Sequence, residues 1–442
     1  MFALIRFPVV LLAFAGLAAA QQDSSSDDVR AVLLGVRRTV LQTIERLPRY
    51  LCTETIDRSV MRPKDSLPDR SCDDLSGLRK HGDWKVSMAS SDRLRLDVAV
   101  SREDEMYSWV GEGGFEDSSL ADLVGTGATS TGEFVSFLGS IFNSNAASFT
   151  YNGDVHFDGR VLAEFSFEVP KEKSHFRIGN KLSGGTVPYH GVFWADPTTF
   201  ELVRLSVDAD RVPSGLNVCE SATTLDYRQL ELNGSNFLIP ANVIWTVFKT
   251  DGSQFESHTV FSNCHEFRGE STLSFDDPSG VGGESAAQTA ARQVDLPAGL
   301  PFALHLTKPI ESATAAAGDP FRAELVRPIR GKHGVLVPKG AAVTGRILLL
   351  SKTYEGNSQS LTLELRLETI EVNGVREPFH ATLDSSVRRY GKALDELVRR
   401  QRLGTFDEIE RTDVPGTIEF RNVGAGYVVP PGFTLQGRTS AR

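Results

Sequence analysis

Four dipeptides constrain this chain more than any other feature. Asp158-Gly159, Asn233-Gly234, Asp251-Gly252 and Asn373-Gly374 each separate two runs in which apolar and polar side chains alternate. Such dipeptides supply the positive φ that two-residue hairpin turns need, and a period of two puts one face of each strand in a core. The flanking runs are Phe149–Phe157 with Val161–Val169, Thr224–Leu232 with Phe237–Phe248, and that last strand with Phe255–Phe267. Val203, Leu205 and Val207 alternate with Arg204 and Ser206 in the same manner. Antiparallel meanders are therefore the expected architecture. With 442 residues, 40% of them hydrophobic, the chain has material for two or three domains at about 150 residues each.

The N-terminus carries a different pattern. Arg6, the apolar run Phe7–Leu17 and Ala18-Ala19-Ala20 have the form of a secretory signal peptide over 1–20, cleaved before Gln21. The run is shorter than the roughly 20 apolar residues of a membrane span, and no Cys follows it to take a lipid. A polar leader over 21–28 precedes Val29, Val32, Leu33, Val36, Val40, Ile44 and Leu47, which recur at helical spacing up to Pro48. A helix with one apolar stripe packs on something, most simply a sheet. Residues 49–268 are strand-dominated, with short helical patches expected near Ser118–Leu123 and Gly132–Phe142.

The Gly/Ala/Ser-rich stretch 276–293 is the best domain boundary, within a flexible linker expected over 271–293. Beyond it strands resume. Phe302, Leu304 and Leu306 share a parity, as do Phe321, Ala323 and Leu325, and Val343, Ile347 and Leu349. Leu361, Leu363, Leu365 and Leu367 face one way while Thr362, Glu364, Arg366 and Glu368 face the other. Short strands with Gly/Pro turns predict a small β-barrel or sandwich over 294–437. It is interrupted at 386–403 by a helical pattern, Leu394, Leu397 and Val398, ringed by Arg388, Arg389, Lys392, Arg399, Arg400 and Arg402. These six cations read as a solvated face, or as a contact for an anionic surface such as phospholipid headgroups or cell-wall polymer.

Four cysteines, Cys52, Cys72, Cys219 and Cys264, in an exported chain favour two disulfides. Of the three connectivities, Cys52–Cys72 with Cys219–Cys264 is expected, because each pair brackets a local excursion. A zinc site would need C-x-x-C spacing or paired histidines, and neither is present.

Two family resemblances follow from particular residues. Gly191-Val192-Phe193-Trp194-Ala195-Asp196, followed by Phe200–Val207, together with the order of elements over 29–270, resembles the LolA/LppX/RseB-like group of envelope proteins. The resemblance implies an antiparallel half-barrel wrapped on helices, with a concave apolar face for an acyl chain or hydrophobic peptide. Leu296-Pro297-Ala298-Gly299, Ser312, Gly318-Asp319-Pro320-Phe321, Gly334-Val335-Leu336-Val337-Pro338-Lys339-Gly340 and Val343-x-Gly345 resemble the β-barrel domain of the TrbI/VirB10 family of secretion components. The chain departs from that family in its cleavable leader and in its short basic insert, so the resemblance implies the barrel and not the channel.

Signs of catalysis are absent from the sequence. There is no G-x-S-x-G elbow and no H-E-x-x-H. Arg102-Glu103-Asp104-Glu105 reads as a solvated turn, Gly111-Glu112-Gly113-Gly114 as a loop without a phosphate-binding context, Asp208-Ala209-Asp210 as a strand end, and His265 as a structural histidine. Asn233-Gly234-Ser235 reads as a turn before a sequon. A net charge of −10 argues against generic nucleic-acid binding. The fold class expected is mainly β (α+β), an N-terminal half-barrel with packed helices plus a C-terminal small barrel. The function expected is that of a non-enzymatic, exported bacterial envelope protein without cofactor or metal, partnered by a lipid, a hydrophobic peptide or envelope proteins. The alternatives are a scaffold built on the VirB10-like barrel and a hydrolase with an unrecognised site.

Overall fold

The structure is a computed structural model, and it describes residues 16–441 apart from 66–69, 102–104, 113, 116–119, 125–135, 144, 180–183, 233, 267–295 and 390–415. The expected leader sequence before Gly16, the linker and most of the basic insert lie outside the described residues. The chain is mainly β, and its strands form one large, predominantly antiparallel sheet system. No described helix is long and apolar enough to cross a membrane.

The first helix, α1 (Gly16–Arg46), begins thirteen residues earlier than the apolar stripe predicts. The polar leader 21–28 is part of it, because no Pro or Gly interrupts the chain between Ala18 and Arg30. Three strands follow: β1 (Tyr50–Pro63), β2 (Val86–Val100) and β3 (Glu105–Trp109). After α3 (Leu120–Val124) and α4 (Ser136–Leu138, continued by a π turn to Asn143) come β4 (Ser148–Phe157), β5 (Arg160–Val169), β6 (Tyr189–Ala195) and β7 (Leu202–Ala209). The N-terminal unit ends with β8 (Val218–Leu232), β9 (Ser235–Lys249) and β10 (Gln254–Glu266). The strands β4 to β10 pair consecutively, and β10 then pairs with β1, so the sheet runs β4–β5–β6–β7–β8–β9–β10–β1–β2–β3 with every pair antiparallel. Three of the four turn dipeptides close hairpins here. Asp158 and Gly159 take φ of 49° and 73°, and Gly234 and Gly252 take 77° and 76°.

One element was invisible to alternation. Between β1 and β2 lies α2 (Cys72–His81), opened by a capping box in which Ser71 and Asp74 bond each other's backbone and closed by Gly82 in the left-handed region. Its Leu75 joins Cys219, Phe248 and Trp84 in a satellite core. Arg79 donates to both carboxylate oxygens of Glu220, and its guanidinium lies 4.9 Å from the Phe248 ring centre.

The helix also decides the cystine pairing. The bonds are Cys52–Cys264 and Cys72–Cys219, not the local pairs expected from the sequence. Local bracketing failed because the meander returns to its start. β10 lies beside β1, so Cys264 meets Cys52 across 212 residues, while α2 sits over the first residues of β8.

The C-terminal unit contains β11 (Pro301–Leu306), β12 (Pro320–Leu325), β13 (Ala342–Glu355), β14 (Ser358–Val372), β15 (Val375–Pro378), β16 (Ala381–Leu383), β17 (Ser386–Arg389), β18 (Thr417–Arg421) and β19 (Thr434–Thr439). The hydrogen-bonded order is β16–β19–β11–β12–β13–β14–β18–β17, with β15 turned back on β14 at Asn373-Gly374. The four leucines of β14 are buried together, as their parity requires. On β13 the parity changes part-way. Val343 and Ile347 face the core, but a bulge between Ile347 and Leu349 turns Leu350 inward and leaves Leu349 half-buried. The residues 386–389, expected to begin a helix, are extended instead, because they pair in parallel with β18.

The two units share a seam. β13 pairs with the first half of β2 through Ser351–Asp92, Lys352–Ser91 and Thr353–Ser90. Asp319 forms an ion pair with Arg95, and the Arg95 amide donates to the Ala317 carbonyl at 2.7 Å. Gly318 is the contact that admits no side chain: a Cβ there would lie 2.0 Å from the Arg95 carbonyl oxygen.

Candidate functional site

The inner face of the N-terminal sheet is apolar, and helical segments cover it. Leu205, Val207, Phe165, Phe167, Phe193, Leu225 and Val243 come from the strands. From above, α1 contributes Val36 and Val40, Leu47 follows just after its end, and α4 with its π turn contributes Phe137, Leu138, Ile141 and Phe142. The glycine at position 35 lets α1 come close, since a Cβ there would meet the Phe200 ring at 2.5 Å. Arg37 fastens the two helical pieces together, its Nε donating to the Phe142 carbonyl at 3.2 Å.

Aromatic rings dominate the space beneath. Phe193 stacks on Phe165 at 5.2 Å between centres and meets Phe142 edge-on at 5.2 Å. Phe176 bridges Phe137 and Tyr189, at 5.5 and 5.8 Å. Burial pushes the Tyr189 phenol up to about 12, opposed by a hydrogen bond with Ser140. The face and its cover are held together by apolar area and ring packing rather than by polar anchors.

The polar residues of the Gly191–Val207 stretch do other work. Glu164, Trp194, Arg204 and Asp226 are successive register partners across β5 to β8. The Trp194 indole donates to Glu164 at 2.8 Å, and the Arg204 guanidinium lies 4.9 Å from the Trp194 ring centre and donates to Asp226 at 2.6 Å. Gly191 is needed where β6 crosses β7, because a Cβ would sit 1.9 Å from the Ser206 carbonyl oxygen. Asp196 accepts from the amides of Thr198 and Thr199 in the turn, and these bonds hold its carboxyl below the usual range. The stretch is thus a cross-strand ladder and a turn. These partners lie on separate strands, so no local pattern in the sequence announces them.

The six cations of the basic insert are not assembled into a site by the described residues. Arg388 and Arg389 stand on β17, and Lys392, Arg399, Arg400 and Arg402 lie outside the described residues. His265 is exposed, with Nδ1 2.8 Å from the Asn263 carbonyl. Asp208 is at the end of β7, its carboxyl raised chiefly by burial. Among the described residues no group of three or more His, Cys, Asp or Glu side chains is placed to hold a metal.

No family model matches the chain, and no curated protein matches it. Among solved structures it is similar to a LolA superfamily protein from Nitrosomonas europaea, at 9% identity and a TM-score of 0.25, over 53% of this chain and 94% of that one. It is also similar to a DUF1329 family protein from Desulfovibrio piger, at 13% identity and a TM-score of 0.25, over 55% and 95% of the two chains.

Proposed function

We propose that this is a non-enzymatic, exported cell-envelope protein whose N-terminal unit binds a hydrophobic ligand between its sheet and its helical cover. The observation that carries the reading is the nature of that cover. The apolar face is closed by α1 and by the α4 segment, each joined to the rest by its own connection, rather than by a second sheet. Helices that withdraw singly can admit an acyl chain or an apolar peptide against Phe165 and Phe193 without breaking a ladder. The leader-like N-terminus and the two disulfides support an oxidising compartment outside the cytoplasm. The C-terminal unit, with its resemblance to the TrbI/VirB10 barrel, is assigned to docking on an envelope partner.

Native mass spectrometry of protein taken from the exported fraction tests this, with and without organic extraction. The expected result is a bound mass that extraction removes and that fragments as a lipid or an apolar peptide. A bare mass in both samples, with no uptake from lipid vesicles, would overturn the carrier reading.

A further inference from the structure

On the outer face of the sheet, where the two units meet, lies a polar cleft of about 210 Å³. Its floor is built by register. Glu256, Ser59, Ser91 and Lys352 form one row across β10, β1, β2 and β13, and His258, Asp57 and Arg93 form a second row across the first three of these strands. Ser312 and Ala313 line it from the C-terminal unit.

Most of the charge in the cleft is internally matched. Arg93 donates to both oxygens of Asp57, at 2.6 and 3.0 Å, and to the Ala313 carbonyl at 2.7 Å. Arg58 donates to both oxygens of Asp92, at 2.8 and 2.7 Å. Besides Glu256, an exposed carboxylate without a cation partner among the described residues, two groups are unmatched. Lys352 is half-buried, and among the described residues its ammonium has neither a hydrogen bond nor an ion pair. Ser312 is 3% exposed, and its hydroxyl has no partner among the described residues. A buried hydroxyl without a partner is costly when left so, and the half-buried ammonium is only partly hydrated. Burial, and Arg93 nearby, hold the Lys352 amine below the usual lysine range, with Asp57 opposing. Glu256 stands three strands from Lys352 in its row, about 14 Å at the usual strand spacing, too far to neutralise it.

We infer that this cleft binds the oxyanion of a small ligand, a carboxylate or a phosphate, with Lys352 supplying the counter-charge and Ser312 a hydrogen bond. The ammonium and the hydroxyl are both donors and line the same cleft, the complement an oxyanion requires. The cavity is smaller than the roughly 300–1,000 Å³ of sites for drug-sized ligands, which fits a headgroup-sized or amino-acid-sized molecule. Because β13 and Ser312 belong to one unit and β1, β2 and β10 to the other, an occupant tightens the seam.

The test uses the full chain, at fixed ionic strength set with sodium chloride. Lysine acylation is followed site by site by mass spectrometry while inorganic phosphate or acetate is titrated in. Selective, saturable protection of Lys352 is expected, and the more effective anion tells a phosphate source from a carboxylate source. Thermal shifts by the same anions, compared with K352M and S312A, give the second readout. About tenfold weaker binding is expected in each variant, the loss of one charge-assisted hydrogen bond, and K352R should recover part of it. Should a variant fail to fold, the acylation result on the unaltered chain still decides. Protection of Lys352 by neither anion, or protection equal to that of exposed lysines, overturns the site.

Discussion

Arg346 shows how much of the seam rests on one side chain. It is 4% exposed; its Nε donates to Glu368 at 2.8 Å, and its Nη1 donates to the carbonyls of Val110 and Gly318, both at 2.7 Å. Removing it takes a donor from the carbonyls of Val110 and Gly318 and from Glu368, which is 25% exposed and keeps Arg366. We expect R346M to lower stability by about 2–3 kcal/mol, chiefly through the carbonyls left without a donor, and R346K to recover only part, since an ammonium lacks the planar fork. Urea unfolding measures both, and a loss under 1 kcal/mol for R346M would contradict this role. The bulge on β13 makes a second case. L350D should cost several kcal/mol by burying a charge, whereas L349D should cost well under that. Equal losses would mean that the parity does not switch. Tyr189 supplies a pH dependence. Its raised phenol favours the folded chain fully below about pH 10, the unfolded value, and the benefit is lost as pH rises through about 12. Phenolate absorbance in Y189F should lack one late-titrating tyrosine. At this scale alternation was legible: Leu361 to Leu367 and Val203 to Val207 face where their spacing says. The Arg346 contacts were not, because Val110 and Gly318 lie far from it in sequence and a carbonyl acceptor leaves no residue signature.

Among the elements, the hairpins were readable and the returns were not. Asp158-Gly159 and Asn373-Gly374 fix their turns by local backbone preference, which no distant contact needs to decide. The pairing of β10 with β1 is decided by closure of the meander, to which no short window of sequence has access. Both cystines depend on such long returns. The helix α2 carried a local signal, Ser71 with Asp74 three residues on and Gly82 at its end, which its scant apolar content concealed. A peptide map of the oxidised chain should give Cys52 linked to Cys264 and Cys72 linked to Cys219; linked Cys52 and Cys72 would refute this sheet order. The Cys72–Cys219 loop lies inside the Cys52–Cys264 loop. Removing either bond alone should cost about 2–4 kcal/mol, and removing both should cost more than the sum, because each bond shortens the loop that the other closes. C72S/C219S should also loosen α2 from Phe248, seen as altered fluorescence of Trp84, whose ring meets Phe248 edge-on at 5.3 Å.

At the scale of the molecule, sequence composition divides the chain near 271–293, whereas backbone pairing joins its halves. β13 is hydrogen-bonded to β2, Ala317 exchanges backbone bonds with Arg93 and Arg95, and Arg366 reaches Glu112 at 3.1 Å. A backbone ladder between units is directional and holds them at one angle, unlike a contact of side chains alone. The apolar face beneath α1 and the cleft around Lys352 lie on opposite faces of the same sheet, so β1 and β2 are common to both. A specific protease site placed between residues 276 and 293 separates these contributions. After complete cleavage the two fragments should co-elute as one species and unfold in one transition, because the seam does not need the connection. Introducing D319A and R95A together should weaken the cleaved complex far more than the intact chain, since the intact chain retains the high effective concentration of tethered partners. Fragments that part at once after cleavage would mean that the connection, and not the ladder, keeps the units together, and the cleft at their junction would then lose its fixed geometry.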